Sequence, residues 1–194
     1  AWNVPSGIIM KNIKAKKKIL SIHGMYGEQV EAIHSQSITK LGKFAEKNAI
    51  ETADILTTDS KFVQKRYYEK FGLKIEYLPA PLDVKKFINI PKPKLKNQVV
   101  FIGRDSYEKG IDILKSIESS INSNVIYCTN TDWNETMNIL QQSKLVIIPS
   151  RQESLPQVIK EAFYLKVPVI ATDVGGIPEL VKHNQTGILV PSEN

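Results

Sequence analysis

Short apolar runs alternate along the chain with stretches in which apolar residues recur every three or four positions. The runs predict β-strands, and the helical spacing predicts amphipathic helices. In the second half the predicted strands are Gln98–Gly103, Asn124–Cys128, Lys144–Pro149, Val167–Thr172 and Gly187–Val190. Helices are predicted between them, from about Lys109 to Ser120, from Trp133 to Ser143, and starting at Ser154 and at Pro178. Five strands with four intervening helices are typical of a Rossmann-like parallel α/β domain.

The first half shows the same alternation over a shorter stretch. Strands are predicted at Lys18–His23, Ala53–Thr58 and Lys74–Pro79, with helices from Glu28 to about Ala53 and from Ser60 to Phe71. Ser60 is a favoured N-cap residue, and Gly72 can end the helix that follows it. Residues 1–18 have no clean periodicity. These elements amount to about half of a doubly wound domain, so we predict a partial Rossmann-like domain here.

Charge divides the chain at almost the same place as the hydrophobic pattern. Its 194 residues are 42% hydrophobic and carry a formal net charge of +6. Residues 1–96 hold 18 Lys/Arg against 9 Asp/Glu, whereas residues 97–194 hold 8 against 11. Prolines and lysines between Asn89 and Lys96 indicate a linker. We therefore predict domains at residues 1–88 and 98–194, joined by a linker at 89–97.

The basic first half suits an anionic membrane surface, a phosphorylated substrate or nucleic acid, and equally a lysine-rich solvated surface. Nucleic acid is not expected as a partner, because no recognition motif or aromatic stacking pattern accompanies the lysines. Cys128, the single cysteine, excludes an intrachain disulfide and fits a reducing cytoplasm. We expect it to be a small buried residue within a strand. No apolar run approaches the ~20 residues needed to cross a bilayer.

Candidate chemistry is concentrated between Pro149 and Glu161. Ser154 and Gln157 have the spacing of a capping box, which predicts that a helix begins at Ser154. Glu153 then lies just beyond the carboxyl end of a central strand, where open α/β sheets bind ligands. The unpaired N–H groups of the first helical turn attract anions at the same place.

Two cations follow the preceding predicted strand. Gly103-Arg104 comes directly after it, and Lys109 opens the next helix. A guanidinium fork and an ammonium group on either side of a crevice suit a diphosphate. The alternative is an exposed basic pair that forms surface ion pairs with Asp105 and Glu108.

Two further side chains have a functional and an ordinary interpretation. Glu161 can accept hydrogen bonds from vicinal hydroxyls of a ribose, or it can be a polar-face glutamate of its helix. His23 follows a strand and precedes Gly24, which places it either at a ligand edge or within a hydrogen-bonded loop. His23, His34 and His183 are far apart, and no HExxH or CxxC occurs, so no metal site is predicted. The lack of GxGxxG and GxSxG patterns counts against NAD binding and α/β-hydrolase chemistry.

Several motifs in one order resemble glycosyltransferase family 4. They are Phe101-Ile-Gly-Arg-Asp-Ser-Tyr-Glu-Lys-Gly110, the E-x7-E pair of Glu153 and Glu161, Val167-Pro-Val-Ile-Ala-Thr-Asp-Val-Gly-Gly-Ile-Pro-Glu179 and Thr186-Gly-Ile-Leu-Val-Pro191. Ser21-Ile-His-Gly24 is similar to that family's strand-end histidine. The resemblance implies a GT-B fold, with a partial N-terminal and a near-complete C-terminal Rossmann-like domain. It further implies a chain that lacks both ends of the family's usual length.

The same resemblance implies retaining, metal-independent transfer of a hexose from a nucleotide-diphosphate sugar to a glycan or lipid-linked acceptor, with no cofactor. Arg104 and Lys109 would neutralise the leaving diphosphate, and Glu153 would hold sugar hydroxyls. The remaining implied contacts come from Gly103, from the backbone of Ser154, Leu155 and Gln157, from Glu161 to the ribose, and from His23 to the donor sugar. The family's glycine-rich loop has no counterpart, the chain is shorter between Cys128 and Asp132, and Lys166 replaces a usual glycine.

Three other functions remain open at this point. One is a GT-B epimerase or glycogen-synthase-like enzyme, and another is a non-catalytic module that binds a nucleotide sugar. The third is a module that docks on an anionic membrane through its basic half. The expected location is cytoplasmic, with peripheral contact at the inner face of the cell membrane.

Overall fold

The computed structural model describes residues 3–33, 35–90 and 93–192. The chain divides into two compact units, residues 1–80 and 81–194. Leu82, Phe87 and Ile90 pack against the hydrophobic core of the second unit. Pro91 and Lys92 of the predicted linker lie outside the described residues, and the division at residues 89–97 stays a prediction.

The first unit has a parallel sheet of three strands in the order β1-β2-β3. The strands are β1 (Ile19–Ser21), β2 (Ile55–Thr58) and β3 (Glu76–Tyr77). The helices are α1 (Asn3–Ile9), α2 (Tyr26–Ile33), α3 (Gln36–Thr52) and α4 (Lys61–Phe71), with a 3-10 turn at Met10–Asn12. Leu20, Ile22, Val63 and Tyr67 are fully buried in its core.

Two of the first unit's helices differ from the sequence prediction. The segment predicted as one helix is two, α2 and α3, and Ser35, with extended backbone angles, occupies the N-cap position of α3 without a side-chain capping hydrogen bond. His34, beside this break, lies outside the described residues. Gly42 lies inside α3, where an added Cβ would be 3.0 Å from a methyl of Val30, so it allows α2 and α3 to approach closely. The short helix α1 was missed because its seven residues make barely two turns.

Both predicted ends of α4 are confirmed. The Ser60 hydroxyl accepts a hydrogen bond from the Val63 N–H at 3.3 Å. Gly72 follows the helix with a φ of 66°, in the left-handed region that glycine adopts readily.

The second unit has a parallel sheet of five strands in the order β5-β4-β6-β7-β8. The strands are β4 (Gln98–Ile102), β5 (Asn124–Cys128), β6 (Leu145–Ile148), β7 (Val169–Thr172) and β8 (Ile188–Val190). The helices are α5 (Ile111–Ile117), α6 (Trp133–Gln142), α7 (Gln157–Tyr164) and α8 (Ile177–Leu180), and 3-10 turns lie at Val84–Phe87, Tyr107–Lys109 and Glu118–Ser120. The parallel α/β architecture is as predicted, and Cys128 is buried in this core as expected.

The strand order reverses between β4 and β6. The chain runs outward from β4 to β5, then returns across β4 to β6 and continues outward to β8. Such a switch point opens a crevice outside the carboxyl ends of the two central strands, which is the usual ligand site of this architecture. Gly103 and Arg104 follow β4, and Pro149 to Glu153 follow β6. The topology therefore brings the two predicted groups of site residues to one crevice.

Candidate functional site

The loop after β6 is packed against two glycines on either side of it. Gly110 and Gly175 both have left-handed backbone angles, with φ of 66° and 56°. A Cβ on Gly110 would lie 1.9 Å from the carbonyl oxygen of Pro149, and one on Gly175 would lie 1.7 Å from that of Glu153. No side chain fits at either distance. The backbone that carries Glu153 is therefore fixed at both of its ends.

Arg151 holds the middle of this loop. Its guanidinium makes two hydrogen bonds to the Asp112 carboxylate, at 2.7 and 2.8 Å, and lies 3.9 Å from the centre of the Tyr107 ring. Its backbone N–H donates to the carbonyl of Glu108 at 2.8 Å. The bidentate hydrogen bonds lower the pKa of the Asp112 carboxyl below its usual value. The loop after β6 is thus tied to the segment after β4.

Lys109 and Glu153 form the ion pair at the centre of the site. Their Nζ and Oε1 atoms are 2.5 Å apart, and the side chains are only 22% and 10% exposed. The Ser150 hydroxyl donates to the same carboxylate oxygen at 3.1 Å. Because Ser150 is itself buried, Glu153 is oriented by one charged and one neutral donor. The sequence predicted both charged residues but not their direct contact.

Arg104 lies at the edge of the crevice and has a different partner. Its side chain is 76% exposed and pairs with Glu108 four residues later. Arg104 therefore forms an exposed ion pair with Glu108, as in the alternative interpretation of the two cations. Lys109 does not, because its partner is the mostly buried Glu153. Gly103 donates its N–H to the Cys128 carbonyl at 3.1 Å, and a Cβ added to it would lie 3.4 Å from the Phe101 ring and 3.7 Å from Cγ of Lys109.

The predicted start of α7 at Ser154 is wrong. The helix begins at Gln157, and Pro156 is the extended N-cap residue, with φ −69° and ψ 123°. A residue before proline is disfavoured in the helical region, which favours a helix that starts after Leu155 and Pro156. Ser154 and Leu155 therefore lie in the loop, with Leu155 buried and Gln157 exposed at the helix start.

Glu161 lies on α7 and accepts a hydrogen bond from Trp133. The indole Nε1 donates to its Oε1 at 2.9 Å. Both residues are partly buried, which is more than the ordinary polar-face interpretation of Glu161 requires. The contact joins α6 to α7.

His23 lies in the first unit, beyond the carboxyl end of β1. Its Nδ1 is 3.1 Å from a carboxylate oxygen of Asp59, which follows the neighbouring strand β2, and its Nε2 is 2.9 Å from the Ser21 hydroxyl. Asp59 is buried, and the His23 side chain is 16% exposed. Two adjacent strand ends therefore orient this imidazole.

Four residues around the predicted site were missed in the sequence: Asp59, Arg151, Trp133 and Gly175. Gly175 belongs to the Val167–Glu179 motif, in which it was given no role of its own, and Arg151 lies between Pro149 and Glu161 without an assigned role. No local pattern pointed to Trp133 or Asp59. Within residues 3–33, 35–90 and 93–192, no cluster of three His, Cys, Asp or Glu side chains could hold a metal ion. In the same ranges, no helix is long and apolar enough to cross a membrane.

Solved structures with this fold are glycosyltransferases of the GT-B type. Sucrose-phosphate synthase from Thermosynechococcus elongatus superposes with a TM-score of 0.79 over 100% of this chain and 60% of its own, at 18% identity. HepE from Anabaena, solved with UDP, gives a TM-score of 0.67 over 98% of this chain and 63% of its own, at 17% identity. The predicted GT-B fold class is confirmed.

The family follows from a sequence model described as "Glycosyl transferases group 1", which matches residues 84–194. This chain belongs to that family. A relative along nearly the whole chain is TuaC of Bacillus subtilis, a candidate teichuronic acid biosynthesis glycosyltransferase, which is 24% identical over 97% of this chain and 56% of its own. The chain thus spans about half the length of the curated relatives it matches.

Replacing Gly175 with alanine should destabilise the protein strongly. We expect Gly175→Ala to lower the free energy of unfolding by at least about 2 kcal/mol, because left-handed strain adds to a clash with the Glu153 carbonyl. Gly72→Ala is the matched control: Gly72 has a φ of 66° and no atom within 4 Å of the added Cβ, so it should cost only about 1 kcal/mol. Urea unfolding measures both. Equal losses would contradict the close backbone contact.

The Arg151–Asp112 pair should contribute a pH-dependent part of the stability. Because the folded-state pKa of Asp112 lies below its unfolded value, the contribution is complete above the ordinary pKa and is lost as pH falls through the folded value. We expect Asp112→Asn to be less stable than the unsubstituted protein at pH 7, with the difference shrinking below about pH 4. Thermal unfolding from pH 7 to pH 3 tests this. A difference independent of pH would show that the charge is not involved.

Proposed function

We propose that this chain carries the donor-binding part of a retaining glycosyltransferase that moves a hexose from a nucleotide-diphosphate sugar to a glycan or lipid-linked acceptor. The observation that carries the proposal is the Lys109–Glu153 pair at the β4/β6 switch point of a chain that belongs to a glycosyltransferase family. A nucleotide sugar carries a diphosphate anion next to the hydroxyl groups of its sugar. Lys109 can bind the anion, and Glu153 can accept hydrogen bonds from the hydroxyl groups.

In this proposal the cations act on the diphosphate. Lys109 turns from Glu153 toward the phosphate oxygens, and exposed Arg104 exchanges Glu108 for them. Gly103 lets the phosphate approach the backbone, and the backbone at the start of α7, at Ser154, Leu155 and Gln157, adds the positive end of the helix dipole. Fixed positive groups contribute most where negative charge develops, which here is the departing diphosphate.

The remaining residues would hold the two ends of the donor. Glu153 accepts hydrogen bonds from hydroxyls of the sugar, and Glu161 accepts them from the ribose. His23, oriented by Asp59, contacts the donor sugar. The bond between the anomeric carbon and the diphosphate breaks and its electron pair leaves with the nucleotide. The acceptor oxygen bonds to the same carbon, and its proton passes to an oxygen of the departing diphosphate. In this scheme neither a metal ion nor a cofactor takes part.

Two of the similar proteins suggest which donor to test first and which kind of pathway the acceptor belongs to. HepE was solved with UDP, which favours a uridine nucleotide as the first donor to test. The name of TuaC refers to teichuronic acid biosynthesis, which favours a role in polysaccharide biosynthesis. We also propose a cytoplasmic location, in keeping with the single buried cysteine.

Binding of UDP-glucose tests the donor site. We expect Lys109→Met to weaken binding about 10-fold or more, because a hydrogen bond to a charged group contributes about 1.5–3 kcal/mol. Lys115→Met is the control, since Lys115 is half-exposed and its nearest carboxylate is Asp105, at 3.6 Å. Isothermal titration calorimetry measures each affinity.

Equal binding by the Lys109 and Lys115 variants would contradict the site assignment. Product analysis with an acceptor then separates transfer from the alternatives. Epimerised nucleotide sugar would indicate an epimerase. Tight binding without turnover would indicate a non-catalytic module.

We further propose that the first unit contacts an anionic membrane. Ile38, Leu41 and Phe44 of α3 are 48%, 66% and 65% exposed, and they border a groove of about 610 Å³. Lys40, Lys43 and Lys47 are exposed on the same helix. Apolar side chains flanked by lysines suit a bilayer surface with anionic head groups.

Vesicle co-sedimentation tests this contact. We expect binding to vesicles of phosphatidylglycerol and phosphatidylcholine but not to phosphatidylcholine alone, and at least about a 5-fold loss in a Leu41→Ser/Phe44→Ser variant. Phe71→Ser, which changes an exposed aromatic residue of α4, is the control. Equal sedimentation with both vesicle types would contradict the proposal.

A further inference from the structure

Trp133 makes a contact with Glu161 that the proposed chemistry does not use. It is the first residue of α6, whose N-cap Asp132 accepts hydrogen bonds from Asn134 and Glu135. The indole N–H reaches across to α7 and donates to Oε1 of Glu161 at 2.9 Å. Among the residues that the structure describes, Oε2 of Glu161 has no hydrogen-bond partner. The carboxylate therefore has one engaged oxygen and one open oxygen.

The indole is itself held by a group of aromatic rings. Phe87 meets Trp133 edge to face, with centroids 4.9 Å apart and an interplanar angle of 79°. Phe87 also contacts Tyr164, at 4.5 Å, which lies three residues after Glu161 on α7. Phe87 is 7% exposed, so this cluster is anchored in the core of the second unit. Phe87 therefore links the Trp133 indole, which donates the hydrogen bond, to Tyr164 on α7, the helix that also carries the acceptor Glu161.

A glutamate has three side-chain torsions, and ordering such a side chain on binding costs free energy. A hydrogen bond made before the ligand arrives reduces that cost. It also decides which oxygen stays open.

We propose that Trp133 is a positioning residue for Glu161: it fixes Oε1 and presents Oε2 to the ribose hydroxyls of the bound nucleotide. The inference rests on the proposed function, in which Glu161 binds the ribose. If Trp133 served only for packing, any hydrogen-bond acceptor would satisfy its N–H, and the choice of Glu161 would have no effect on ligand binding. A positioning residue must in addition change how the site distinguishes ribose from deoxyribose.

The test compares UDP with dUDP, which lacks the 2′-hydroxyl, and with inorganic pyrophosphate, which lacks the ribose. We expect Trp133→Phe, which keeps a ring but removes the N–H, to weaken UDP binding about 2- to 10-fold. The preference for UDP over dUDP should fall with it, and pyrophosphate binding should stay unchanged. Asn134→Ala, an exposed neighbour on α6, is the control and should match the unsubstituted protein. In a Glu161→Ala background, which removes the acceptor of the indole N–H, Trp133→Phe should have no further effect on the preference.

The outcomes separate the inference from the proposal beneath it. If the unsubstituted protein does not bind UDP, or does not prefer it to dUDP, the ribose role of Glu161 fails and the inference fails with it. If the preference exists and survives Trp133→Phe unchanged, only the positioning role is overturned. A measurement without substitution covers the case in which Trp133→Phe does not fold: the indole N–H resonance of Trp133 should shift with UDP and not with pyrophosphate. No shift with UDP would overturn the inference.

Discussion

The close approach of the loop after β6 to two glycines is the constraint on which the second unit's site depends. The carbonyls of Pro149 and Glu153 occupy the places where Gly110 and Gly175 would carry a side chain. Those glycines begin α5 and precede α8, so three connections at the carboxyl edge of the sheet are packed together through backbone atoms. A loop held in this way can place Glu153 without relying on its own sequence for rigidity.

Strand positions were predictable because their signal is local. The central strands Gln98–Ile102 and Leu145–Ile148 are mainly apolar runs, as expected for parallel strands that are covered on both faces. Helix boundaries depended on competing local rules. For α7, the capping pattern predicts a start at Ser154, whereas the steric restriction on the residue before Pro156 predicts a later start. The helix begins at Gln157, in agreement with the steric restriction. The break before α3 was not predicted, although Ser35 is of a residue type that is favoured at the N-cap.

The residues of the candidate site were easier to predict than their partners. Arg104 and Lys109 were read as one pair, yet in the structure Arg104 contacts Glu108 while Lys109 contacts Glu153. The order of strands and loops in the sequence predicts which residues reach the same edge of the sheet, because parallel strands all have their carboxyl ends at one edge. It does not predict which carboxylate lies nearest to a given lysine or arginine. Arg151 escaped notice for the same reason: its partner Asp112 is on another element.

The Lys109–Glu153 pair also bears on which kind of ligand the crevice favours. Both side chains are mostly buried, and separating a buried ion pair leaves each charge without compensation. A simple phosphate could replace the carboxylate as partner of Lys109, but it would leave Glu153 with the Ser150 hydroxyl as its remaining donor. A ligand that carries hydroxyl groups next to its phosphate compensates both sides at once, since the hydroxyls supply the hydrogen bonds that the ammonium group gives up. The electrostatics of the closed pair therefore favour a sugar phosphate over either part alone, which is the chemical reason for preferring a nucleotide sugar as the proposed donor.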